Sequence, residues 1–342
     1  MQTDWQWIEA VMPQMTAKLT TRFRILRGID AQQPVGRRLL ADQLVLSERT
    51  VRTVTTDLES LGLIQMSVQG MQLTPAGRQA LRGLTPVMDD LAGRQQRELR
   101  LAQRLGIEHC TIVPGDSSAV NGGLSGMAAA AAKVLADRLP AGKSTVAVMG
   151  GHTLATLAQA LTPALAMNRQ LLFVPARGGV GESPAIQANT VCAQMAQQTN
   201  STYRQLYIPE QLTTATYQPL FAEPSIHEVL QLIDRSNVVV HGIGLALDMA
   251  ERRKMTPHEV ADLTAAHAVG EAFGHFFDDE GHVVSKIPRI GLEIDDLAKK
   301  PVVIAVAGGS EKGTAIAAYM QLAPSQTWLI TDDGAADFVL KR

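Results

Sequence analysis

Seven short apolar runs recur through the last two thirds of the chain: His109–Val113, Ser144–Met149, Gln170–Val174, Tyr203–Ile208, Asn237–His241, Val302–Val306 and Thr327–Thr331. Stretches of helical pattern separate them. Near-continuous apolar runs fit parallel strands covered on both faces. Their alternation with helices predicts an α/β domain with a mostly parallel sheet. In such a sheet ligands bind at the carboxyl ends of the strands.

Three of those ends are glycine-rich. One reads Val148-Met149-Gly150-Gly151-His152-Thr153, another Val306-Ala307-Gly308-Gly309-Ser310-Glu311-Lys312, and the third His241-Gly242-Ile243-Gly244. Glycines permit close backbone approach, and the helix that follows favours an anion. Gly151, His152, Thr153, Ser310 and Lys312 are therefore candidate contacts for a phosphorylated ligand. Arg177, after the Gln170–Val174 run, is a natural phosphate partner. Gln187 and Asn189 lie on the next expected helix, where an amide could meet a sugar hydroxyl. Glu271, between Gly270 and Gly274, could hold a polyol. None of the turns matches a dinucleotide or P-loop motif, so tight turns without a ligand remain an alternative.

Charge divides the chain. Between Thr16 and Arg82 ten basic residues face five acidic ones, a balance of +5. The full 342 residues carry −2, leaving −7 elsewhere. A basic module joined to an acidic one is the expected footprint of phosphate-backbone contact, or simply a solvated helical face.

Pattern favours the first reading. Met15, Leu19, Phe23, Leu26 and Ile29 make one helix face, which ends at Gln32-Gln33-Pro34. A short helix follows with Leu40 and Leu44 inward. Ser47 is the expected N-cap of a third helix, whose inner face is Val51, Val54, Leu58 and Leu61, stopped by Gly62. Its outer face carries Arg49, Arg52, Thr53 and Thr56, groups suited to base edges and phosphates in the major groove. Residues 63–68 and 71–74 read as a hairpin, and Pro75 opens another helix. This is a winged helix-turn-helix, with Arg37 and Arg38 as expected phosphate contacts. A three-helix protein-interaction module is the alternative.

Leu84 to Leu105 is helical in pattern, lined in part by Arg94, Arg97, Arg100 and Arg104. The expected organisation is a DNA-binding domain over 1–83, a connecting or oligomerising helix over 84–105 and an effector domain over 106–342. Operator binding by such proteins usually takes a dimer.

Other classes find little support. No run of ~18 apolar residues is long enough to span a membrane. Met1–Trp7 lacks the layout of a secretory signal. Cys110 and Cys192 lack metal-ligand spacing, so a cytoplasmic chain without a disulfide is expected. His241, His258, His267, His275 and His282 have no zinc-site spacing, and no metal is expected. There is no nucleophile elbow. Asp278, Asp279 and Glu280, in the turn of a hairpin over 276–284, are expected to be solvated. No catalytic residue and no cofactor are assigned.

A family resemblance rests on Pro34-Val35-Gly36-Arg37-Arg38, Leu46-Ser47-Glu48-Arg49, Gly70-Met71-Gln72-Leu73-Thr74, Leu171-Leu172-Phe173-Val174-Pro175-Ala176-Arg177-Gly178-Gly179, Gln187-Ala188-Asn189-Thr190, Val240-His241-Gly242-Ile243-Gly244 and Ala305-Val306-Ala307-Gly308-Gly309-Ser310. Over nearly its full length the chain resembles the SorC/DeoR-type sugar-responsive transcriptional repressors of bacterial glycolytic operons. The resemblance implies an α/β protein, with an N-terminal winged helix-turn-helix and a larger Rossmann-like effector domain similar to sugar-phosphate isomerases and deaminases. It implies a non-enzymatic repressor of an operon containing the glyceraldehyde-3-phosphate dehydrogenase gene. Operator DNA would be its partner, fructose-1,6-bisphosphate its inducer, and a dimer or tetramer its form on DNA. Carried over by motif, the effector contacts are Thr153, Arg177, Gln187, Glu271 and Lys312. His152 departs from the family, whose members often have a second hydroxyl residue there. A sugar monophosphate effector, or an isomerase- or deaminase-like enzyme with a regulatory module, are the competing expectations.

Overall fold

Helix α1 (Pro13–Gln32) buries Phe23, Ile25, Leu26 and Ile29, and its amino-terminal Met15 stays exposed. Helix α2 (Arg37–Leu44) adds Leu40 and Ala41 to the same core. Helix α3 (Glu48–Ser60) is capped by Ser47, whose hydroxyl accepts from the Thr50 amide at 3.1 Å. The inner face of α3 differs by one position from expectation. Leu61 follows the helix and is exposed, while Thr55 is fully buried. The Thr55 hydroxyl donates to the Arg52 carbonyl, which satisfies its polar atom inside the core.

Strands β1 (Ile64–Ser67) and β2 (Gly70–Leu73) form the antiparallel wing. Val35 adds a bridge to Met71. Only glycine fits at Gly70: its φ is +133°, and a Cβ there would stand 2.9 Å from the Val35 backbone.

The single helix expected over 84–105 is instead two. Helix α4 runs Pro75–Leu91 and α5 runs Arg94–Leu105. Gly93 separates them at φ +61°, a left-handed conformation that ends a helix. Met88 packs in the core of the small unit, whereas Leu101, Ala102 and Leu105 belong to the core of the large one.

This computed structural model describes residues 13–91, 93–119, 123–178, 183–208, 219–220, 223–287 and 290–342. Met1–Trp7 and Gly179, used in the sequence reading, lie outside the described residues. The chain divides into two compact units, Met1–Gln96 and Arg97–Arg342.

The large unit is built on seven parallel strands: β3 (His109–Val113), β4 (Gly142–Val148), β5 (Arg169–Pro175), β6 (Thr202–Tyr203), β7 (Val238–His241), β12 (Val302–Val306) and β13 (Thr327–Asp332). Their order is β3-β13-β12-β7-β4-β5-β6. Val146, Ala147, Val148, Phe173, Val238, Val239, Val240, Val303 and Ile304 are all 0% exposed, as strands covered on both faces require. From β4 the chain builds outward through β5 and β6, then returns to lay β7, β12 and β13 on the other side. The strand order therefore reverses between β4 and β7, and a topological switch of this kind opens a crevice at the carboxyl ends.

One strand is shorter than its apolar pattern predicts. Of the run Tyr203–Ile208 only Tyr203 joins the sheet, in the two-residue strand Thr202–Tyr203. Leu206 and Ile208 are buried as expected, but the Leu206 backbone pairs with the side-chain amide of Asn189 through both its N–H and its carbonyl. That pair replaces the ladder bonds a strand would make.

A satellite sheet of β8 (Gly244–Leu245), β9 (Gly270–Ala272), β10 (His275–Phe277) and β11 (Val283–Lys286) is antiparallel, in the order β11-β10-β9-β8. The hairpin expected around the acidic turn is its β10–β11 pair. Asp278 organises the turn by accepting from the Glu280 and His282 amides, at 3.0 and 2.8 Å.

His241 ends β7 and is fully buried. Its Nδ1 lies 3.1 Å from the Gly242 carbonyl, and its Nε2 lies 3.2 Å from the Tyr319 hydroxyl. A carbonyl only accepts, so Nδ1 carries the proton and Tyr319 donates to Nε2. Burial pulls the imidazole pKa from 6.5 down to about 4. Between those values the unfolded chain binds a proton that the folded chain refuses, so stability falls as pH drops from 6.5 toward 4, by about 3 kcal/mol in total. A His241→Gln chain is expected to lose less stability than wild type between pH 7 and pH 4, in urea unfolding of the large unit. Equal losses in the two chains would rule His241 out as the source.

Candidate DNA-binding and effector sites

In the small unit, α3 presents Arg49, Arg52, Thr53 and Thr56 to solvent, with the Ser47 cap fixing where the helix begins. Thr53 donates its hydroxyl proton to the Arg49 carbonyl at 3.0 Å. Its oxygen can still accept and its methyl group is exposed, so it suits a base edge better than a phosphate. Arg38 is open, with 87% of its side chain exposed and Glu48 3.9 Å away. Arg37 is placed differently. It is half-buried, and its Nη2 lies 2.9 Å from the Met66 sulfur in the wing. Arg22 pairs with Asp57 at 2.7 Å, and Arg24 donates to the Leu44 carbonyl. The exposed wing residues Gln65, Ser67, Val68 and Gln69 carry no cation. Some of the basic residues thus brace the module, while Arg38, Arg49 and Arg52 are exposed on α2 and α3, and Lys18 and Arg82 are exposed on α1 and α4.

In the large unit, β4 runs through Gly150-Gly151 directly into helix α7 (His152–Ala160), whose amino end has no side-chain cap. The first-turn amides of a helix have no intrahelical acceptor and attract anions. His152 is exposed and Thr153 half-buried at that turn. Gly150 is required by close approach. A Cβ there would stand 2.5 Å from the Ile186 carbonyl oxygen, and the Gly151 amide donates to that oxygen at 2.8 Å. This contact sets Gln187, the N-cap residue of α8 (Ala188–Gln198), beside the glycine turn.

Arg177 follows β5, the next strand of the sheet. It is half-buried in a bridge to Gly291. Asn189, by contrast, is spent on the Leu206 backbone and is not placed to meet a sugar.

The two glycine turns that look alike in sequence differ in structure. After β12, the Gly309 amide donates to Asp332 at 2.9 Å and the Ser310 amide donates to Asp116 at 3.0 Å. Asp332 is fully buried and also accepts from the Ser117 and Ala335 amides. Burial pushes the Asp116 carboxyl upward, but hydrogen bonds from Ser310 and Ser118 outweigh it and hold its pKa below the ordinary carboxylate value. Internal carboxylates therefore occupy the backbone donors of this turn, and Ser310 sits in that network.

What the turn offers a ligand is Lys312, half-buried at its end. Burial lowers the Lys312 pKa; Glu311, Asp248 and Asp332 act against that, and Arg252 reinforces it. Arg252 and Asp248 come from α10 (Ala246–Arg252), so this helix brings one cation and one anion within electrostatic reach of Lys312.

Glu271 comes from the segment beyond β7, the strand that lies between β12 and β4. It sits on β9, in register with Gly244 just past the end of β7. Its carboxylate is engaged, at 2.8 Å from Arg253 and accepting from the Gly274 amide at 2.6 Å.

Arg252, Arg253, Asp116 and Asp332 are missing from the sequence reading. Asp332, ahead of a helix, had an N-cap signature. The others follow from tertiary packing and had no local pattern.

The strand order β12-β7-β4-β5 thus sets Lys312, Glu271, the α7 amides and Arg177 in sequence along the carboxyl edge of the sheet. Relatives agree with both halves of the architecture. The family model for the CggR N-terminal DNA binding domain matches residues 19–88, and that described as "Putative sugar-binding domain" matches residues 89–341. The protein is a transcriptional regulator that joins a DNA-binding domain to a sugar-binding domain. A central glycolytic genes regulator from Priestia megaterium is 43% identical over 326 residues, covering 95% of each chain. One from Bacillus subtilis is 40% identical over 331 residues, covering 97% of this chain and 96% of the relative. The chain belongs to the family of central glycolytic genes regulators.

Among solved structures, the "putative SorC family transcriptional regulator" from Enterococcus faecalis is 50% identical, with a TM-score of 0.68 over 72% of this chain and 99% of that one. The full-length sorbitol operon regulator from Klebsiella pneumoniae, at 18% identity, shares the fold with a TM-score of 0.65 over 90% of this chain and 94% of its own. No described helix is long and apolar enough to cross a membrane.

Proposed function

We propose that the protein is a cytoplasmic repressor of a glycolytic operon, released from its operator by fructose-1,6-bisphosphate. The observation that carries this reading is the order of groups along the sheet. Two anion-binding places, the α7 amides with Arg177 and the Lys312–Arg252 pair, flank the carboxylate of Glu271. Strands β4 and β12 are two steps apart, about 10 Å at the usual strand spacing. A sugar with a phosphate at each end matches that spacing, with hydroxyls near Glu271 and Gln187. One phosphate is received by Gly151, His152, Thr153 and Arg177, where a ring N–H of His152 takes the place of a hydroxyl donor. Lys312 takes the other, while Ser310 holds the turn that carries it.

On DNA, Arg49, Arg52 and Thr53 read the major groove. Arg38 contacts a phosphate, and Arg37 does so only after leaving Met66. A dimer or tetramer supplies paired readers for repeated half-sites. The effector acts by favouring a form of the protein that binds operator less well, since only differential binding can shift that equilibrium.

The test is a gel-shift titration of the full chain on DNA upstream of the operon that contains the glyceraldehyde-3-phosphate dehydrogenase gene. Fructose-1,6-bisphosphate is expected to weaken or remodel the complex, with fructose-6-phosphate and inorganic phosphate far less effective. A complex unchanged at millimolar bisphosphate overturns the inducer assignment. An equal response to fructose-6-phosphate reassigns the effector to a monophosphate.

A further inference from the structure

A carboxylate inside an anion site works against the site, because it repels the phosphate beside it. Glu271 is in that position, and the structure holds a specific remedy. Its side chain is 5% exposed and that of Arg253 is 3% exposed, with Nη2 and Oε1 2.8 Å apart. The guanidinium is enclosed from a second side by Phe276, whose ring centroid lies 5.6 Å from its central carbon. Phe276 is the register partner of Glu271 across β9 and β10, so one strand pair grips both ends of the ion pair. Arg252 and Arg253 are consecutive at the end of α10 and turn to different tasks: Arg252 is exposed and felt by Lys312, while Arg253 is buried on Glu271.

We propose that Arg253 is a positioning residue for sugar recognition. It neutralises Glu271 and fixes the carboxylate, so that Glu271 accepts a hydrogen bond from a sugar hydroxyl without repelling the flanking phosphates. The inference rests on the crevice being a sugar-bisphosphate site. The planar, permanently charged fork of arginine suits this role, and lysine, a flexible point charge, reproduces it only in part.

The experiment measures fructose-1,6-bisphosphate affinity by calorimetry on the full chain. It compares wild type, Arg253→Lys, Arg253→Met and the Arg253→Met/Glu271→Gln double variant, with operator binding in the absence of sugar as the check of folding. Arg253→Met is expected to weaken binding about 10- to 100-fold, and Arg253→Lys less. The double variant, left with no uncompensated charge, is expected to bind more tightly than Arg253→Met. A role confined to holding the fold also predicts recovery in the double variant, since a buried pair broken at one end costs more than one replaced at both. The loss and recovery would then appear equally in operator binding without sugar, which a positioning role leaves unchanged. If Arg253→Met fails to fold, the comparison passes to Arg253→Lys and the double variant, both expected to bind more weakly than wild type. Wild-type affinity in any folded Arg253 variant overturns the proposal, as does a double variant no tighter than Arg253→Met. A wild-type chain that binds no sugar bisphosphate overturns the crevice reading itself.

Discussion

An Arg49→Ala/Arg52→Ala chain is expected to lose about 100-fold or more of its affinity for operator DNA, because each guanidinium contact to a base or phosphate contributes about 1–3 kcal/mol. Both side chains are exposed on the outer face of α3, away from the Val51 and Leu58 core, so thermal stability should change little. Salt titration separates their roles. A phosphate contact removed lowers the slope of log affinity against log salt by about 1, while a base contact removed relaxes sequence preference instead. Because the exposed wing residues carry no cation, the slope should depend mainly on the helices. Unchanged affinity at every salt concentration would remove α3 from the DNA interface.

A Lys312→Ala chain is expected to bind operator normally and to stay bound when fructose-1,6-bisphosphate is added. Losing one partner of a desolvated charge pair commonly costs about 2–5 kcal/mol, a weakening of roughly 30-fold to several thousandfold. The internal carboxylates on the Gly309 and Ser310 amides give this side chain its weight, since the backbone of that turn has little left to offer a phosphate. Titration adds a second test. Burial lowers the Lys312 pKa, and phosphate binding requires the charged form. Effector affinity should therefore weaken as pH rises through that lowered value, earlier than for an ordinary lysine, and the Lys312→Ala chain should lack this limb. A normal inducer response in Lys312→Ala would exclude Lys312 from the site.

Much of this architecture was legible because its signals are local. Ser47 caps α3 where its hydroxyl and the following helix predict, and the apolar runs of β3 and β12 coincide with their strands. Errors arose where a distant partner decides the outcome. Leu206 looks like strand until the Asn189 amide takes its backbone. Leu61 has the right helical spacing but falls just past the last turn, and Thr55 fills the core in its place. The two glycine turns are indistinguishable as strings of residues. Only tertiary structure shows that carboxylates from Asp116 and Asp332, 194 and 23 residues away, close one of them. Arg253 had no signal at all, because its partner is set by the fold of the satellite sheet.

The edge of the main sheet has a bearing on how copies of this chain can meet. Strand β3 forms one edge and the two-residue β6 the other; the Ile112 amide of β3 donates at 2.8 Å to Glu98, on the helix that precedes the strand. A bare edge amide invites a strand from another molecule to extend the sheet. Here that invitation is declined at Ile112 within the chain itself. Self-association that served the operator without running on into fibres would then be built from side-chain surfaces, which can close into a finite, symmetric assembly.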